Sequence, residues 1–151
     1  MPELAALESF AAELIAGLQP AERKQLATDI ARQLLASQQK RIAAQLNPDG
    51  SGFIPRKSQL RQRKGKLRAQ MFTKLRTAKY LKAKGTADEA IVAFTADVSR
   101  IARVHQFGLH DRVNKKTGLE VVYPERQLLG FSAADIDLIR DLTALHLGNR
   151  L

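Results

Sequence analysis

Apolar positions recur at helical spacing near both ends of the chain and alternate with polar ones in its middle. Leu4, Leu7, Ala11, Leu14, Ile15 and Leu18 lie three or four residues apart, the mark of one helical face. Pro2 suits a first turn, and Gly17 and Pro20 bracket the end. Glu3, Ser9 and Glu13 occupy the other side. A second helix is predicted from Pro20 to about Gln45, with Glu22 in its positive first turn. Its stripe is Leu26, Ile30, Leu34, Ile42 and Leu46, joined by Ala27, Ala31 and Leu35. A tight corner at Gln19 and Pro20 folds residues 1–46 into an antiparallel helical pair. Core packing explains both stripes; for the first helix, the sharper reading is contact with a neighbouring subunit.

Asn47-Pro48-Asp49-Gly50-Ser51-Gly52 is turn chemistry, because Pro presets φ and Gly supplies positive φ. It fails as a calcium loop: the sixth position from Asp49 is Ile54 rather than Gly, and the twelfth is Leu60 rather than Glu. Phe53, Ile54 and Pro55 are expected to pin this turn to the body. Residues 56–68 are basic and polar, a loop or arm, and Leu67, Met71, Phe72 and Leu75 have the spacing of a short amphipathic helix. Residues 80–84 and 90–96 form a hairpin around a turn at 85–89, with Val92 and Phe94 alternating against Ala93 and Thr95. Asp97 and Ser99 precede a helical turn with Ile101, Ala102, Val104 and His105, which Gly108 ends. A third strand spans 119–123 and stops at Pro124, which has no ladder donor. Ser132 and Asp135 make a capping-box-like start to a last helix carrying Ile136, Ile139, Leu142, Thr143 and His146. The prediction is an α+β fold in one domain of 151 residues. It has an N-terminal helical pair, a small antiparallel sheet (hairpin plus third strand) and a C-terminal helix packed on the sheet.

Charge changes this picture at one place. Residues 51–87 hold twelve of the 25 Lys and Arg and no Asp or Glu. The remainder carries thirteen basic against fifteen acidic residues, so the net +10 comes from one segment. Such a density suits phosphate. Only Phe53, Phe72 and Tyr80 interleave with it, which is thin for base stacking, and there is no recognition-helix motif. Contact with DNA would be electrostatic and without sequence preference. The absence of Cys excludes disulfides, thiol catalysis and Cys-type zinc sites. No apolar run reaches the length of a membrane span. With no Lys or Arg before Arg23, the start of the chain is not expected to be a signal peptide.

Catalytic patterns are missing. There is no P-loop, G-x-G-x-x-G, H-E-x-x-H or G-x-S-x-G. His105, His110 and Asp111 are part of a metal set, short of the three or four converging ligands that zinc requires. A two-carboxylate glycosidase would draw on Glu13, Glu22, Asp29, Asp137 or Asp141, all on predicted helix surfaces. No cofactor is expected.

Three segments carry a resemblance. They are Arg100-Ile101-Ala102-x-Val104-His105-Gln106-Phe107-Gly108-Leu109, then Tyr123-Pro124-x-Arg126-x-Leu128-Leu129-Gly130, then Ser132-x-x-Asp135. With the Asn47-Pro48-Asp49-Gly50 turn, Pro55, Lys57 and Met71-Phe72-x-Lys74-Leu75-Arg76, the chain resembles the phage virion morphogenesis family. This is the tail completion protein S family of contractile-tailed phages, related to protein G of phage Mu. The resemblance implies a non-enzymatic virion protein that completes the tail and helps join it to the DNA-filled head. It also implies a homo-oligomeric ring, commonly six-fold, touching neighbouring neck and tail proteins. On that reading Arg56, Lys57, Arg61, Arg63, Lys64, Lys66 and Arg68 face passing double-stranded DNA or an interface, and no membrane partner is involved. His105, Gln106, Phe107, Gly108, Pro124, Arg126 and Gly130 form the structural motif. Gly108 permits a chain reversal, Pro124 and Gly130 set how the strand enters the last helix, and the fork of Arg126 suits a carboxylate.

Overall fold

The computed structural model describes residues 2–56, 70–112 and 114–148. Four helices and two small antiparallel sheets follow in the order α1 (Pro2–Ala16), α2 (Pro20–Ala43), β1 (Leu81–Gly85), β2 (Ala90–Phe94), α3 (Ala96–Phe107), β3 (His110–Arg112), β4 (Glu120–Val122) and α4 (Ala133–Gly148). The α+β class is the one predicted, with helices at both ends and strands between them; β3 was not foreseen.

Helix α2 is the spine. Leu26, Ala27, Ala31, Leu34 and Ile42 are buried along it, and β1 lies against this face. Burial alternates along β1: Leu81 and Gly85 point inward, while Lys82 and Lys84 are exposed. At Gly85 a Cβ would run into the backbone and hydroxyl of Thr28, so only glycine lets strand and helix approach this closely. β1 pairs with β2 from Leu81 opposite Phe94 to Gly85 opposite Ala90. The central core is Ile42, Phe53, Met71, Phe72, Ala102 and Leu128, with Leu75 and Phe94 packed against it.

Five expectations are corrected. The third strand does not extend the hairpin; β4 pairs with β3, a three-residue strand, as a separate sheet. The last helix packs on α2 rather than on a sheet: it shares one length of that spine with β1, His146 meeting Asp29 and Asp135 meeting Ser37 and Gln38, while Gly85 of β1 meets Thr28. Residues 71–75 are turns, not helix: Phe72 has φ 66°, which no right-handed helix accepts, and Met71 and Phe72 act as plugs for the core. Helix α3 begins at Ala96, ahead of Asp97 and Ser99. Finally, α1 does not form a packed pair with α2. It contains no buried residue, and its face shows Leu4 at 58%, Leu7 at 62% and Phe10 at 59% exposure. Only its end is anchored, by buried Leu18 and half-buried Leu14 and Ile15.

Candidate assembly site

The predicted motif residues other than Phe107 converge on one irregular strap, residues 123–132, which runs across the end of α3 and the far end of α2. Helix α3 stops where it should. Gly108 is left-handed at φ 63°, and the N–H of Leu109 donates to the Val104 carbonyl at 2.9 Å. A Cβ on Gly108 would sit 2.9 Å from the Glu125 nitrogen, so glycine also makes room for the strap. The strap then bonds this corner through its backbone: Tyr123 N–H to the Leu109 carbonyl at 3.1 Å and Arg126 N–H to the His105 carbonyl at 2.8 Å.

Side chains replace a partner strand for the rest of it. Gln106 donates to the Leu129 carbonyl and accepts from the Leu129 N–H, both at 2.9 Å. Arg41 donates to the carbonyls of Leu46 and Gln127, both at 2.8 Å, and of Leu128 at 2.7 Å. Asn47 accepts from the Gln127 N–H at 2.9 Å. Buried Gln38 accepts from Arg41 at 2.6 Å and from the Gly130 N–H at 3.2 Å, while donating to Asp135 at 3.3 Å. At Gly130 a Cβ would strike the ring of Pro48, which joins the strap to the 47–52 turn. Such side-chain pairing is how a buried, non-repetitive backbone satisfies its polar groups.

Arg126 is 3% exposed, and its partners differ from the expected carboxylate. It donates to the carbonyls of Ile54 at 2.6 Å and Pro55 at 3.3 Å, and lies 3.3 Å from His105 Nδ1. The fork finds carbonyls because the 53–55 stretch turns its backbone toward it as Phe53 enters the core. Burial, then the neighbouring Arg56, lowers its pKa. His105 is wedged edge-on between Phe72 and Tyr123, with centroids 4.8 and 4.9 Å away. Burial first, then Arg126 and Arg56, pushes its pKa down to about 4, so the ring is neutral at pH 7. Asp135, 2% exposed, caps α4: it accepts from the Ser132 N–H at 3.0 Å, and its own N–H donates to Ser132 Oγ at 3.1 Å. Burial raises this carboxyl, but hydrogen bonds from Ser37, Ser132 and Gln38 outweigh it and the net pKa is lowered.

The candidate metal residues scatter. His105 is enclosed by rings, His110 is exposed on β3, and Asp111 pairs with Arg100. Among the described residues no group of three or more His, Asp or Glu is placed to hold a metal. Also among them, no helix is long and apolar enough to cross a membrane. Phe107 belongs to the motif yet is 62% exposed, apart from the buried strap.

Of the proposed basic face, Arg56 is described and exposed; Lys57, Arg61, Arg63, Lys64, Lys66 and Arg68 lie outside the described residues. Lys74, Lys79, Lys82 and Lys84 are exposed, and none of them makes an ion pair among the described residues. Lys82 and Lys84 share the outer face of β1. The sequence reading missed Gln38 and Arg41, and it placed Asn47 in a turn without its bond to the strap. Gln38 left a signal, a polar residue exactly in register between Leu34 and Ile42 on a buried stripe.

The model of the phage virion morphogenesis family matches residues 3–148, which takes in every element that builds the strap and its supports. Tail completion protein S of Escherichia phage P2 is 38% identical over 149 residues, covering 97% of this chain and 99% of that protein. No solved structure matches. With a match that leaves out only a few residues at either end, the chain belongs to the phage virion morphogenesis family.

Proposed function

We propose that this protein is a non-enzymatic virion subunit that completes a contractile phage tail and helps join it to the DNA-filled head. The observation that carries this reading is its similarity to a tail completion protein over 97% of this chain and 99% of that protein. The site supports it in kind. Its buried polar groups are spent on backbone carbonyls and caps, so they hold a shape rather than present reactive groups. In this proposal several copies, six on the pattern of such rings, assemble at the neck and contact neighbouring tail and neck proteins. The basic segment then faces passing DNA or an acidic neighbour.

Tails from a phage lacking the protein test this directly. Complete-looking tails that fail to join filled heads, and that join once pure protein is added, are the expected result. Normal joining without the protein would overturn it. A second reading, a free binder of duplex DNA, draws on the twelve Lys and Arg of residues 51–87. It requires tight binding by the isolated protein that falls steeply with salt.

A further inference from the structure

Helix α1 is a fifteen-residue helix of mainly Ala, Leu and Glu with no buried residue. Its residue types favour helix, yet isolated helices of this length are marginal in water and draw most of their stability from packing. Its apolar face therefore lacks a partner within the described chain. Its charge is one-sided as well: Glu3, Glu8 and Glu13, with no Lys or Arg. None of these three makes an ion pair among the described residues.

A complementary groove lies elsewhere on the surface. It runs between β2 and α3, about 390 Å³ in volume, and is lined by Val92, Phe94, Ala102, Gln106, Phe107 and Leu129 among others. Among the described residues, no strand pairs with the outer edge of β2. Arg103 lines the groove, is exposed, and has no ion-pair partner among the described residues. Lys82 faces Ala93, another lining residue, across the hairpin. An apolar trough with Arg103 in its wall and Lys82 on the adjoining strand is what an apolar stripe bordered by carboxylates fits.

We propose that α1 of one copy docks into the β2–α3 groove of a second copy, with Leu4, Leu7 and Phe10 in the trough and Glu8 toward Arg103. Such a contact is head-to-tail: each subunit gives a helix to one neighbour and receives one from the other. Repetition around an axis closes a ring. The proposal deepens the ring-subunit reading and rests on it for its biological meaning. It also gives the exposed motif residue Phe107 a role, as the wall of the receiving groove.

Two measurements on the full chain test it. The native chain has no Cys, so single cysteines report cleanly. Leu7→Cys mixed with Phe107→Cys under oxidation should give disulfide-linked pairs of unlike chains, and the double variant should give a ladder or closed ring. Sedimentation should show wild-type assembly, with Leu7→Asp raising the concentration for half-assembly roughly tenfold or more. Glu8→Arg should weaken assembly, and Arg103→Glu in the same chain should restore it. Cross-links confined to Leu7→Cys alone, meaning α1 against α1, would overturn the proposal. So would a wild-type protein that stays monomeric at every concentration, or a charge swap that fails to restore assembly. Head joining rescued by a protein that forms no such cross-link would leave the tail-completion reading standing and remove this one. Cross-linked rings that rescue nothing would do the reverse.

Discussion

Helices α1 and α2 carry the same kind of stripe and use it differently. Along α2, Leu26, Ala31, Leu34 and Ile42 are buried under β1 and the core. Along α1, Leu4, Leu7 and Phe10 face outward. What separates them is the polar content of the face. The buried stripe of α2 is interrupted by Gln38, which accepts from Gly130 of the strap and from Arg41 and donates to Asp135, and is edged by Arg41, which donates to the strap carbonyls of Gln127 and Leu128. The stripe of α1 has no such polar ties among the described residues beyond its last turn. A face that must match one specific backbone takes on polar residues to satisfy it. A face that meets a separable partner can stay simply apolar with a charged border.

The largest effect that tests this contrast is truncation of one residue on each helix. Ile42 is fully buried, and Ile42→Ala should cost about 2–5 kcal/mol in urea unfolding. Leu7→Ala, measured at a dilution where the protein is monomeric, should stay within about 0.5 kcal/mol. Equal costs would mean that α1 is part of the subunit's own core. A smaller effect addresses the polar ties. Gln38→Leu keeps the volume but leaves Asp135, Arg41 and the Gly130 N–H each short of a partner, and should cost about 1–3 kcal/mol. A neutral outcome would mean that the apolar content of α2 alone distinguishes it from α1.

The sequence made much of this legible, and the gaps have physical causes. Helix α2 and both hairpin strands followed from period and turn chemistry, because one face of each meets the core; the bounds moved, with Gly85, read as turn, closing β1 and β2 stopping at Phe94. Gly108 and the Ser132–Asp135 cap were readable from local chemistry, which depends on neighbours in the chain. β3 was not, since His110, Asp111 and Arg112 are polar and form a strand only because Gly108 turns them back against β4. Residues 71–75 have helical spacing, but Gln45 bonds both the N–H and the carbonyl of Met71, from 26 residues away, and holds the segment open. The carbonyl partners of Arg126 are likewise distant in sequence. Most of all, the apolar positions of α1 and α2 repeat at the same spacing; what tells the two apart in the string is Gln38 on the stripe of α2, while the elements that cover that stripe lie far along the chain.

A change of pH probes the strap through His105, whose carbonyl holds the Arg126 N–H and whose ring lies against Tyr123. His105 is held neutral in the fold, with its pKa lowered from 6.5 to about 4, while an unfolded chain takes up a proton near 6.5. Below 6.5 the unfolded state therefore binds more protons, and stability falls as pH drops through the window from 6.5 to about 4. Asp135 behaves separately: its lowered pKa gives stability that is present above 3.8 and is lost as pH falls through its folded value. Urea midpoints for the wild type should decline between pH 6.5 and 4 and decline again at lower pH. His105→Phe keeps a ring between Phe72 and Tyr123 but cannot titrate, so its first decline should flatten while the second remains. A full slope in that variant would place the first titration on another group and detach His105 from the strap's stability.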